Sequence, residues 1–433
     1  MKKRLLAVIA AALIMVTAAS CTIQNTETTQ TTTQSATSAV ETTAVKSTEA
    51  VSEDTDNSDD SSKSDLSESS LKGTLTKDSV FTDRDLEQTA DLTNAKKYTV
   101  KSGDDIKITA EGVYVLSGNA QNVTVTVDAA DDAKVQLVLN VVTITNSDSP
   151  AVYVKSADKV FVTTVKGSSN TLKVTGSFTQ DGDTNTDAVI FSKDDLALNG
   201  QGTLSISSTA NGITSKDDLK ITGGTLSISS EADAVEANDS IAVSGGTITV
   251  DSQKDGLHAE NDEDNTTGYI YICGGTLNIT AASDGIQGTT TVQIDDGKID
   301  VNAGEGIEGT YVKLNGGTVK ISASDDGINA SNKSDSLSTS IEINGGDITV
   351  DMGQGDTDGI DSNGDLYING GTITVNAQSP FDYDGNCEKN GGKLIVNGTE
   401  TDSITNQMMG GGGMRGGMNG GGMRGGMNGD MRR

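Results

Sequence analysis

Six acidic residues recur at one place in a repeating pattern: Asp233, Asp255, Asp284, Glu305, Asp326 and Asp358. Each is followed by Gly or Ala and then by Ile, Val or Leu, as in "AASDGIQG" (281–288), "SASDDGINAS" (322–331) and "GDTDGIDSNG" (355–364). Stacked in adjacent strands about 4.8 Å apart, two such carboxylates repel by roughly 1 kcal/mol in water and by about 3 to 4 kcal/mol at an effective dielectric of 20. A row of them needs counter-ions. Calcium suits the need, because it accepts six to eight oxygens in irregular geometry. Further acids stand ready to add ligands: Glu236, Glu308 and Asp361 three residues after the repeat position, with Asp325, Asp356, Asp382 and Asp384 beside it. The chain has one histidine, His258, with no cysteine or histidine near it in sequence, which argues against zinc or copper.

Asp-Gly is also an ordinary turn dipeptide, and Asn211 holds the repeat position in one copy. A bare turn is therefore the competing account of the same residues. Sugar contacts have few candidates, since aromatics make up 3% of the chain. Tyr383, flanked by Asp382 and Asp384, is the most site-like, followed by Tyr269. Lys193 and Lys216, in two copies of "SKDDL", could meet an acidic sugar or act as a base.

The elements that must position these residues are short strands. Leu219/Ile221 and Leu226/Ile228 alternate with polar residues on either side of a Gly-Gly pair, and Val312/Leu314 and Val319/Ile321 do the same. Period-two alternation puts such aliphatics on one face of a strand. Three short strands and three turns in 20 to 24 residues predict an all-β, right-handed parallel β-helix. Insertions at 258–273 and 329–343 fall at the same turn of the repeat.

The predicted organisation has five parts. Residues 1–21 form a lipoprotein signal, with "MKKR", an apolar run and "TAASC" ending at an acylated Cys21. Residues 22–76 are a Ser/Thr/Asp-rich tether, 77–185 irregular first coils and a cap, 186–400 the regular helix with its acidic row, and 401–433 a Met/Gly/Arg tail. The expected location is the outer face of a bacterial membrane, held there by lipid alone. With 62 acidic against 31 basic residues and a net charge of −31, nucleic acid is excluded as a partner.

The motifs "FTDRDLEQTADL", "EGVYVLSGNAQNVTV", "SPAVYVKSADKVFVT", "AVIFSKDDLALNGQGTL", "DGIDSNGDLYINGGTITVN" and "FDYDGN" resemble the clostridial-type carbohydrate-binding β-helix family of surface lipoproteins. The resemblance spans about Phe81 to Gly398. It implies a pectate-lyase-like fold with bound calcium, and binding of cellulose and acidic pectin-like polysaccharide without catalysis. The alternatives are a calcium-dependent polysaccharide lyase and a non-glycan adhesin or spacer. The stretch 85–414 contains no arginine to serve as a lyase base.

Overall fold

A computed structural model describes residues 75–261, 263–354 and 357–406. Every described residue belongs to one compact unit within Ser64–Arg433. The signal with Cys21, all but the end of the tether, the tail from 407 on, and Asp356 lie outside the described residues.

Alternation builds the strands as the sequence indicates. Thr225–Ser230 and Thr247–Ser252 bury every second residue. Their inward aliphatics stack in register from Leu204 through Leu226, Ile248, Leu277, Ile299, Val319, Ile348 and Ile373 to Leu394. A second column runs from Ile190 through Ile213, Val235, Leu257, Ile286, Ile307 and Ile328 to Ile360. Both columns belong to one continuous apolar core. Each fully buried Leu, Ile or Val contributes about 1.5–3 kcal/mol.

The architecture is not the single right-handed solenoid of three-stranded coils that the periodicity predicts. Among the described residues the strands gather into two sheets of 22 and 12. In the larger sheet, Lys134–Asn146, Tyr269–Ala281 and Thr291–Ala303 are each 13 residues long and run unbroken through a corner where a turn was expected. Lys134–Asn146 pairs with both Lys159–Thr164 and Ser169–Val174. The two ladders that start there meet again on Tyr269–Ala281, which pairs with both Ser240–Val243 and Thr247–Ser252. The result is a closed parallel barrel of ten strands, with further strands and a separate parallel sheet. Alternation cannot reveal this, because inward positions keep period two on both sides of the corner. At Gly275 (φ 100°) and Gly297 (φ 131°) the chain bends without leaving its strand.

The two ends are finished differently. Two short helical turns, α1 (Lys77–Val80) and α2 (Asp83–Leu86), each carry a capping box, from Thr76 and Thr82 respectively. This segment crosses the larger sheet. Leu75 exchanges hydrogen bonds with the Gln293 side chain, and Phe81 packs on Tyr271. Asp85, fully buried, lies 3.1 Å from Lys159 and 3.7 Å from Lys220. At the far end, Lys393–Val396 and Thr399–Thr401 form an antiparallel pair.

Candidate functional site

The smaller sheet carries the acidic row. Its register aligns Asn211, Asp233, Asp255, Asp284, Glu305, Asp326 and Asp358 in one column. The carboxylates also bind the stack together. The Asp233 N–H donates to Asn211 Oδ1 at 3.1 Å, Asp255 N–H to Asp233 Oδ1 at 3.0 Å, and Asp284 N–H to Asp255 Oδ1 at 2.9 Å. Asp358 N–H donates to Asp326 Oδ1 at 3.3 Å.

The glycine that follows five of the six acids is present for space, not for a left-handed turn; Ala234 follows Asp233. Gly256, Gly285, Gly306, Gly327 and Gly359 all have ordinary φ. A Cβ on Gly285 would lie 2.2 Å from Val301 Cγ1, and one on Gly306 2.3 Å from the Gly327 carbonyl oxygen. Turn chemistry therefore does not account for the motif.

Three residues further on, a second row lies beside the first: Glu236, His258, Gln287, Glu308, Asn329, Asp361 and Asp382. Between the rows, among the described residues, two groups bring a ligand atom from each of three side chains within 4.8 Å of one another. They are Asp233–Asp255–His258 and Asp284–Glu305–Glu308.

The two groups differ in charge. In the first, His258 Nδ1 lies 3.5 Å from one oxygen each of Asp233 and Asp255, and Nε2 lies 2.9 Å from Glu260. Burial disfavours the imidazolium, but Asp233, Glu260 and Asp255 outweigh it and raise the pKa to about 10. Burial likewise works against the Asp233 carboxylate, yet His258 holds its pKa below the ordinary range.

The second group has three carboxylates and one ion pair, Lys333 to Glu308 at 2.9 Å. Burial, then the charges of Asp255, Glu305 and Glu308, push the Asp284 carboxyl up to about 8. Burial and Glu308 push Glu305 up to about 7. The strain extends along the rows. Burial lifts Asp326 to about 6, and burial with Asp326, Asp382 and Asp358 lifts Asp361 to about 7.

Neutral donors complete the second group's surroundings. Gln287 Nε2 donates to Glu308 at 3.0 Å, Ser331 Oγ to Glu308 at 2.7 Å, and Asn329 Nδ2 to Glu305 at 3.1 Å. Asn329 is 8% exposed, and its buried Oδ1 makes no hydrogen bond. An all-oxygen donor set with excess negative charge and an unpaired amide oxygen fits a hard divalent cation. Asp284, Glu305, Glu308 and the Asn329 oxygen would hold it.

The remaining predicted residues are scattered. Asp325 and Asp384 are exposed. Asp382 continues the second row, but Tyr383 turns inward to pack on the core. Tyr269 is 6% exposed and lies on the larger sheet beneath Leu75 and Phe81, away from the acids. Lys193 is exposed, and Lys216 is 3.5 Å from Glu236. Sequence reasoning passed over three residues that the structure brings in: His258, Asn329 and Lys333. His258 was set aside for want of neighbours in sequence, yet its partners Asp233 and Asp255 come from stacked strands. Spacing could have found two of them, since His258 and Asn329 each stand three after a column acid.

An all-β chain with an aligned acidic column on its smaller sheet has known relatives. The family model for carbohydrate-binding domain-containing proteins matches residues 102–356 and 303–412, and the chain belongs to that family. A carbohydrate-binding domain-containing protein of Acetivibrio thermocellus is 43% identical over 203 residues, which cover 46% of this chain and 71% of that protein. A solved structure of a polysaccharide lyase-like protein from C. thermocellum, a gadolinium derivative, shares 32% identity. That likeness covers 52% of this chain and 96% of the other, with a TM-score of 0.47.

Proposed function

We propose that this is a calcium-dependent carbohydrate-binding protein of the bacterial cell surface, anchored through Cys21, that recognises plant cell-wall polysaccharide and favours acidic, pectin-like chains. The observation that carries the reading is the Asp284–Glu305–Glu308 group, whose carboxyls burial and mutual repulsion hold far above their ordinary range. A calcium ion there relieves the repulsion and keeps coordination positions open to a uronate carboxylate and sugar hydroxyls. Protein and uronate chain are both anionic, so a bridging cation resolves their mutual repulsion. Family membership supports the carbohydrate, and the "TAASC" signal supports the anchor.

Binding without catalysis is the better-supported form of this reading. A lyase needs a neutral base beside the sugar. The lysine at the group, Lys333, is tied to Glu308 at 2.9 Å, a position that supports binding over proton abstraction. The test is a glycan array at matched calcium and chelator, with unsaturated-product absorbance read on the same samples. Retention of polygalacturonate in calcium, its loss in chelator and a flat absorbance are expected. Equal retention in both conditions would refute calcium dependence, and rising absorbance would make the protein a lyase.

A further inference from the structure

We infer that Asp233, Asp255 and His258 form a second cation site of a different class, one that takes a borderline transition-metal ion such as zinc. The donor set is two carboxylate oxygens and one imidazole nitrogen. Each carboxylate divides its work. Its Oδ1 accepts the next strand's N–H, Asp233 from Asp255 at 3.0 Å and Asp255 from Asp284 at 2.9 Å. Its Oδ2 faces the imidazole. Both Oδ2 atoms lie 3.5 Å from His258 Nδ1. That is too long for a charge-assisted hydrogen bond, about 2.7–2.9 Å. It is close to the roughly 3.3 Å that separates two ligand atoms of a tetrahedral zinc with bonds near 2.0 Å.

A second observation points the same way. His258 Nδ1 is shut off from solvent and makes no hydrogen bond. Its other nitrogen, Nε2, lies 2.9 Å from Glu260 Oε2. A carboxylate on the far nitrogen fixes the tautomer and aims the ligating lone pair, as the outer partners of metal-bound histidines do. An incoming cation displaces the Nδ1 proton of the imidazolium, and the freed Nδ1 then faces both Oδ2 atoms, 3.5 Å away. Imidazole selects zinc-like ions, whereas calcium prefers the oxygen-only group one strand along. The Asp255-to-Asp284 hydrogen bond makes the two sites neighbours in one column.

The proposal shares with the calcium reading only the premise that this column takes cations, and it can fail separately. The test titrates zinc chloride into the untagged full chain, already saturated with calcium, by calorimetry. One zinc per chain is expected. His258→Gln should weaken zinc binding about a hundredfold, and Glu260→Gln by roughly tenfold or more. Calcium binding should stay within about twofold in both variants. Asp284→Asn should do the reverse, losing calcium and keeping zinc. Cobalt(II) in place of zinc should give the visible d–d absorption of a low-coordinate N/O site in the wild type and in Asp284→Asn, so a poorly folding His258→Gln chain does not leave the question open. Absence of zinc binding in calcium, or zinc held equally by His258→Gln as an adventitious ion only, overturns the proposal.

Discussion

On the larger sheet, Lys159 and Lys220 are each 7% exposed, and the N-terminal segment delivers Asp85 to lie 3.1 Å from one and 3.7 Å from the other. Asp195 and Asp218, at 3.2 and 3.9 Å, complete that network. On the smaller sheet, Asp284, Glu305 and Glu308 converge with a single ion pair to Lys333. The same chain thus sets two buried ammonium groups against three carboxylates at one place and a single ammonium group against three at another. Burial pushes against the Asp85 carboxylate, yet Lys159 and Lys220 hold its pKa below the ordinary range, whereas Asp284 is driven up to about 8. The contrast separates a structural charge network from one that awaits an outside cation.

The largest effect expected comes from breaking the lysine-bearing network on the larger sheet. Asp85→Ala removes the carboxylate that the two buried ammonium groups share, leaving each with one acidic partner, and should cost up to about 3 kcal/mol, read as a drop in melting temperature that calcium does not restore. A drop that calcium did restore would merge the two regions and void the comparison.

Next in size is the pH response. A carboxyl whose folded pKa is raised contributes stability below its ordinary range and loses it as pH rises through the folded value. Asp326, Glu305, Asp361 and Asp284 set that window at about 6 to 8. In chelator the melting temperature should therefore fall from pH 5 to pH 9. Saturating calcium should flatten the slope, and a melt independent of pH in chelator would contradict the excess charge.

A smaller and more selective effect is expected from substitutions further along the row. Asp326→Asn with Asp358→Asn keeps the Oδ1 acceptor that receives the Asp358 N–H, so the stack should survive. Binding to polygalacturonate should weaken several-fold and binding to cellulose hardly at all. Equal loss on both would separate the row from acidic sugars.

Much of this was legible in the sequence. The acid-Gly-aliphatic spacing identified residues that the structure places in one column, from Asp233 to Asp358, because strand stacking preserves register wherever an Ile, Val or Leu must point inward. The closed ten-strand barrel was not legible. Whether a strand continues through Gly274–Gly275 depends on backbone hydrogen bonding at the corner, and both outcomes bury the same aliphatics. Nor could sequence show that Tyr269 lies under Phe81 and Leu75, a contact made across nearly two hundred residues. His258 shows the same limit: its ligand-forming neighbours are adjacent in the stack and not along the chain.

The most direct measurement of the central claim is polygalacturonate binding at pH 7.5, with calcium and with chelator, by the wild-type chain and by Asp284→Asn. The account predicts tight binding by the wild type in calcium, loss of at least tenfold in chelator, and a variant that is weak and indifferent to calcium. A variant that bound as the wild type does in calcium would contradict it.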